Sequence, residues 1–168
     1  MSIRTGKGDE GRTDLASGKN VRKDDIRVAA IGDLDELNCF LGLAKVRLND
    51  GNYRSGIEII QRKISVISSE LSSEGVPEDP FKELSEYDMS WIESFLRETE
   101  RGVDMPEGFI VPGDNELSAL LHTARAVTRR AERTLVTLLK GKGGKAAEII
   151  SFVNCLSDLL FVMAVKFS

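Results

Sequence analysis

Three arginines at four-residue spacing, Arg125, Arg129 and Arg133, stand in the stretch "HTARAVTRRAERTLV", with Arg130 and Glu132 among them. On a helix turning about 100° per residue, Arg125, Arg129, Glu132 and Arg133 fall within a sector of about 100° beside an apolar face. A guanidinium binds phosphate through two parallel N–H bonds, so three on one stripe match a polyphosphate better than a single anion. The competing reading is a solvated basic face with Glu132 as internal partner, and spacing leaves both open.

The N-terminal stretch "MSIRTGKGDEGRTDLASG" raises the same chemistry. Gly6, Gly8 and Gly11 spell G-x-G-x-x-G, and Gly6, Gly11, Arg12 and Thr13 come within one Lys-to-Arg change of G-x-x-x-x-G-K-[ST]. Both motifs depend on a preceding strand and a parallel sheet, and too few residues precede Gly6 to supply that strand. What survives is a glycine-rich backbone able to turn N–H groups toward an anion, flanked by Arg4, Thr5, Lys7, Arg12 and Thr13. A polar tail without a ligand is the alternative.

Other polar residues interrupt apolar patterns. Asp33, Asp35 and Glu36 lie inside a helical pattern, and Asp35 shares a face with Ile31 and Asn38. Partial burial there would call for a cationic partner, which an arginine of the later helix could provide. Asn154, between Val153 and Cys155, leans inward and serves either core hydrogen bonding or a ligand. His122 is the chain's one histidine, which excludes a di-iron bundle built on paired Glu-x-x-His motifs and reads as a satisfied, semi-buried side chain. Cys39 and Cys155, each in an apolar helical pattern, read as reduced core residues; with a single histidine they assemble no zinc-type cluster, so no protein-held metal is expected.

The elements that must carry these residues are helices. Apolar residues recur at three- and four-residue steps in five segments, and no segment sustains the alternation of a strand. The first helix is expected from residue 24 or 25 to 48, stopped by "NDGN", and the second over 53–73. The third is expected over 88–101 with Asp88 as N-cap, the fourth over 115–139 and the fifth over 146–165. Two connectors join them, "EGVPEDPFKELSEYD" before the third helix and "GVDMPEGFIVPGDN" after it, the latter with a short extended apolar piece at 109–111. The fold class is all-α, a five-helix bundle with a glycine-rich N-terminal segment.

Bulk properties agree. The chain has 168 residues, 41% of them hydrophobic and 30% charged, with a mean hydropathy of -0.16, the profile of one globular domain. Its net charge of -4 disfavours nucleic acid as a partner. No run of about 18 apolar residues and no signal-type apolar core is evident, so a cytoplasmic protein without membrane association is expected.

Taken in order, "RTGKGDEGRTDL", "VRKDDIRVAAIGDLDELNCFLGLA", "FIVPGDNELSALLHTARAVTRRAER" and "FVNCLSDLLFVMA" resemble the PduO-type ATP:cob(I)alamin adenosyltransferases, also called corrinoid adenosyltransferases. The chain departs from the family pattern by two extra residues in "TGKGDEG", by Arg22 where proline is usual, and by Asp114 where a second glycine follows "VPG". The resemblance implies one domain over 1–168, with an ATP-binding segment at 1–23 and a bundle at 24–168 that assembles as a homotrimer. It implies transfer of the 5′-deoxyadenosyl group of ATP to the cobalt of cob(I)alamin, with Mg²⁺ held through the ATP phosphates. A reductase or an adenosylcobalamin-dependent acceptor enzyme would be a further partner.

Residue by residue, the resemblance places Thr5, Gly6, Lys7, Gly8, Thr13, Asp14 and Lys23 on the triphosphate, and completes the nucleotide site with Arg129, Arg130, Glu132, Arg133 and Asn154. It pairs Asp35 with Arg125 across a subunit boundary and sets Phe109 against the lower face of the corrin. A nucleotide- or cobalamin-binding bundle without turnover, and a structural bundle with a basic partner-binding face, are the rival readings.

Overall fold

The computed structural model describes residues 6, 8–73 and 83–168. Five helices follow a small N-terminal hairpin: β1 (Arg12–Asp14), β2 (Asn20–Arg22), α1 (Ile26–Arg47), α2 (Gly51–Ser72), α3 (Glu86–Glu100), α4 (Glu116–Leu139) and α5 (Lys145–Lys166). The antiparallel hairpin pairs Arg12 with Arg22, Thr13 with Val21 and Asp14 with Asn20. It is absent from the sequence reading because three-residue strands are too short to display a period of two.

Helix starts are set by side chains that accept otherwise orphaned backbone N–H groups. Asp25 caps α1 by accepting from the Arg27 amide at 2.8 Å, and Asn115 caps α4 by accepting from Ser118 at 2.9 Å. Asp50 caps α2 through the amides of Asn52 (2.9 Å) and Tyr53 (3.4 Å). Gly51 and Asn52 therefore already belong to α2, where the sequence reading takes them for the stop of α1. The expected cap of α3 is also corrected. Ser85 is the N-cap, and Asp88 is the third helical residue of a reciprocal capping box, its carboxylate accepting from the Ser85 amide at 2.9 Å.

Ion pairs and close contacts fix the helix directions. Arg47 and Glu116, 2.9 Å apart, join the end of α1 to the start of α4, so these two run antiparallel. Lys145 at the start of α5 reaches Glu83 (3.3 Å) just before α3, while Gly102 lies beside Lys166, so α3 and α5 run parallel. The core is continuous, from Leu34, Leu37 and Leu41 on α1 through Ile57, Ile60 and Ile64 on α2 and Ile92 on α3 to Leu121 and Leu135 on α4 and Phe152, Leu156 and Leu160 on α5.

α5 corrects the membrane argument from sequence, since it has 22 residues and holds an 18-residue stretch with a mean hydropathy of 1.8, long and apolar enough to cross a bilayer. Here that apolarity lines the core, with eleven of its residues buried between α3 and α4. The apolar piece at 109–111 forms no strand, and residues 74–82 of the first connector lie outside the described residues.

Candidate functional site

Two successive turns shape the glycine-rich segment, with Asp9 N–H donating to Gly6 O and Gly11 N–H to Gly8 O, both at 3.2 Å. Gly11 holds φ at 76°, a left-handed conformation that only glycine adopts without strain. Lys23 closes the segment from the other side. Its amide donates to Gly11 O at 2.8 Å, and its Nζ lies so near Gly8 that a β-carbon there would sit 2.9 Å from it. The Lys23 ammonium thus lies against the bare backbone of Gly8 with no side chain between them, a cation placed to suit an anion.

Beside them opens a cleft of about 630 Å³, lined by Gly6, Gly8, Glu10, Arg12, Thr13, Asp14 and Asn20. Asn20 ties the two strands together: Arg12 donates to its side chain and, at 3.0 Å, to its carbonyl, and its amide donates to Asp14 at 2.7 Å. Sequence reasoning missed Asn20, for which the only signal is a turn-type composition in "SGKN". Thr5 and Lys7, expected in this cleft, lie outside the described residues.

Along α4 the arginines have different surroundings. Arg129 and Arg133 are exposed, and Glu132 is half-buried between them. Arg130 instead turns to α1, donating to Asp33 Oδ1 at 2.9 Å and to Glu36, while Thr134 donates to Asp33 Oδ2 at 2.7 Å. Asp33 and Glu36 thus appear as the carboxylates that hold α4 on α1. Arg125 lies over the Phe161 ring, 5.0 Å from its centroid, where the electron-rich face attracts the cation.

Asp35 is exposed rather than partly buried, and it edges a groove of about 360 Å³ between α1 and α2. Asn38 lines the same groove, with its Oδ1 buried and unpartnered. Asn154 and Cys39 are exposed too, which corrects the inward readings of both. α1 and α5 carry apolar residues around much of their circumference, so periodicity alone could not tell their outer faces from their inner ones. Cys155 is half-buried, and burial pushes its thiol up to about 11.

His122, expected to be semi-buried, is buried, with its ring against Phe161. Burial, then the Arg125 charge, lower its pKa below the ordinary value. Phe109 is 94% exposed on the connector between α3 and α4. That connector lies at the opposite end of the bundle from the glycine-rich segment, with the length of α4, 24 residues or about 36 Å, between the two ends. Within one chain, therefore, the structure joins Gly8 to Lys23 and Arg130 to α1, but does not bring Phe109 to the glycine cleft.

The cobalamin adenosyltransferase family matches residues 3–167, and the chain belongs to that family. The corrinoid adenosyltransferase PduO of Salmonella typhimurium is 36% identical over 98% of this chain, which spans 49% of that protein's length. A corrinoid adenosyltransferase of Bacillus subtilis is 34% identical over 98% of this chain and 85% of its own.

Solved structures agree. An arginine-to-lysine variant of a PduO-type adenosyltransferase from Lactobacillus reuteri, complexed with ATP, superposes with a TM-score of 0.86 at 33% identity over 99% of this chain and 93% of that one. A phenylalanine-to-alanine variant complexed with cobalamin and ATP gives 0.84 at 31% identity over the same shares.

Proposed function

We propose that this chain transfers the 5′-deoxyadenosyl group of ATP to cob(I)alamin, as one domain over 1–168 working in the cytoplasm as a homotrimer. The observation that carries this reading is the cleft lined by Gly6, Gly8 and Thr13, with the Lys23 ammonium against Gly8, in a chain whose family and ligand-bound structural neighbours are corrinoid adenosyltransferases. Cob(I)alamin is itself a strong nucleophile, so the protein has no nucleophile to provide. The cobalt electron pair forms the bond to C5′, the C5′–O bond breaks, and triphosphate leaves with the two electrons of that C5′–O bond.

The protein's part is alignment and charge stabilisation. Gly6, Gly8, Thr13, Asp14 and Lys23 would hold the triphosphate, together with Thr5 and Lys7. Exposed Arg129 and Arg133 are free to reach toward it from α4, with Glu132 and Asn154 orienting the nucleoside, and Arg130 supports that helix from behind. Among the described residues no group of three or more His, Cys, Asp or Glu side chains could hold a metal. Mg²⁺ would be held by the phosphate oxygens and would neutralise the charge of the leaving group.

A site shared between copies explains the separation of the glycine cleft from Phe109. Asp35, exposed at the edge of the α1–α2 groove, offers a carboxylate acceptor, which suits the guanidinium of Arg125 from a second copy. Phe109 would cover the lower corrin face and keep an axial ligand off the cobalt. A reductase that supplies cob(I)alamin, or an acceptor of adenosylcobalamin, would meet the assembly at its corrin side. The purified chain given ATP, Mg²⁺ and chemically reduced cobalamin is expected to form adenosylcobalamin and free triphosphate. Binding of ATP without either product would make it a carrier instead.

A further inference from the structure

We propose that Ser72, in the last turn of α2, is a positioning residue that docks the glycine-rich strap and so sets the affinity for ATP. The proposal rests on the ATP-dependent reading above. Ser72 is 56 residues from Ala16 in sequence, yet its Oγ accepts from the Ala16 amide at 2.8 Å. Its carbonyl accepts from Ser17 at 3.2 Å. The turn between β1 and β2 therefore meets both the side chain and the backbone of one residue.

The docking has a second component in Leu15, only 6% exposed although it lies outside the main core cluster. Bonds from Leu15 N–H to Lys19 O and from Gly18 N–H to Leu15 O, each 2.9 Å, hold the turn that presents it. On the helix side, the last carbonyls of α2 have no partner within the helix. Leu71 O accepts from Arg27 at 2.7 Å, and Ser72 O from the strap. The end of α2 thus grips the hairpin turn and the first turn of α1 together.

The consequence reaches the cleft through the backbone. A two-stranded hairpin with three residues per strand is marginal by itself, so its register depends on what fixes its turn. With the turn fixed, the pairing of Arg12 with Arg22 places Lys23, whose amide bonds Gly11 and whose ammonium lies against Gly8. Apparent ATP affinity scales with the fraction of molecules in which this arrangement is formed. Ser72 touches no substrate, and its effect appears on ATP alone.

The test compares Ser72→Ala, Ser72→Thr and Leu15→Ala with the parent chain, measuring ATP binding by calorimetry with Mg²⁺, KM for each substrate, kcat and thermal stability. Ser72→Ala is expected to weaken ATP binding and raise its KM about fivefold, leaving kcat and the KM for cob(I)alamin within about twofold. Ser72→Thr, which keeps the hydroxyl, restores ATP affinity, and Leu15→Ala reproduces the ATP-selective defect. Trypsin cleavage after Lys19, Arg22 or Lys23 is expected to be faster in Ser72→Ala.

Unchanged ATP affinity in Ser72→Ala overturns the proposal, as does an equal loss for both substrates or a failure of Ser72→Thr to rescue. A parent chain that binds ATP without forming adenosylcobalamin defeats the activity reading alone, because the ratio of ATP affinities still judges Ser72. A parent that binds no ATP defeats both.

Discussion

Arg129 and Arg130 are neighbours in sequence with different commitments. Arg129 is exposed on α4 and free to meet triphosphate, whereas the guanidinium of Arg130 spans Asp33 and Glu36 of α1. Replacing Arg129 with alanine is expected to lower turnover by about a hundredfold or more at unchanged helicity, since its charge would be needed where negative charge builds. Arg130→Ala is expected to act first on stability, lowering the melting temperature by a few degrees through loss of the α1–α4 ties. Circular dichroism melts beside product assays separate the two; a turnover loss in Arg130→Ala without a stability loss would move it among the phosphate ligands. Phe109, 94% exposed, adds little to the isolated fold, and its proposed role is to cover the corrin. Phe109→Ala should therefore impair the reaction more when it starts from cob(II)alamin than from pre-reduced cob(I)alamin, and equal losses would remove its role against the axial ligand.

At the scale of elements, α3 is held by its first turn. Lys63 of α2 lies 2.8 Å from Asp88, whose second oxygen accepts from the Ser85 amide and hydroxyl. Burial alone would raise the Asp88 pKa, but the hydrogen bonds from Lys63 and Ser85 outweigh it and hold the carboxyl below its ordinary 3.8. A carboxyl lowered in the fold contributes stability above the unfolded pKa and loses it as pH falls through the folded one. Acid titration of stability should thus show a loss below pH 3.8 that Asp88→Asn flattens, at the cost of lower stability near neutrality. The five helices were legible in the sequence because apolar periodicity over 15 to 24 residues leaves little freedom. The caps were less so: Asp88 carries the right residue type for an N-cap, and only the competing Ser85 three residues earlier reveals the box. The hairpin, and with it Ser72 and Asn20, depended on pairing between short segments that no periodicity announces.

For the whole molecule, the glycine cleft and Phe109 stand at opposite ends of a bundle in which α1 and α4 are roughly 33 and 36 Å long. ATP cannot be held at one end and donate its adenosyl group at the other, so the proposed reaction calls for more than one copy at each site. Sedimentation of the purified chain is expected to give a trimer, and Asp35→Ala or Arg125→Ala to shift it toward smaller species with loss of turnover. A fully active monomer would break the shared-site reading. The candidate binding residues were readable one by one, as glycines, arginines and a loop phenylalanine, but their distribution over two ends was not, because it depends on the antiparallel run of α1 against α4.

That separation has a genetic consequence. If each catalytic centre draws its phosphate-binding strap from one copy and its corrin cover from another, two defective chains can repair each other. A copy crippled at Lys23 and a copy crippled at Phe109, each inactive alone, would form mixed assemblies in which some centres receive an intact half from each. Co-expression should then recover a fraction of parental activity set by the mixing ratio, whereas a chain carrying both lesions should poison every centre it joins.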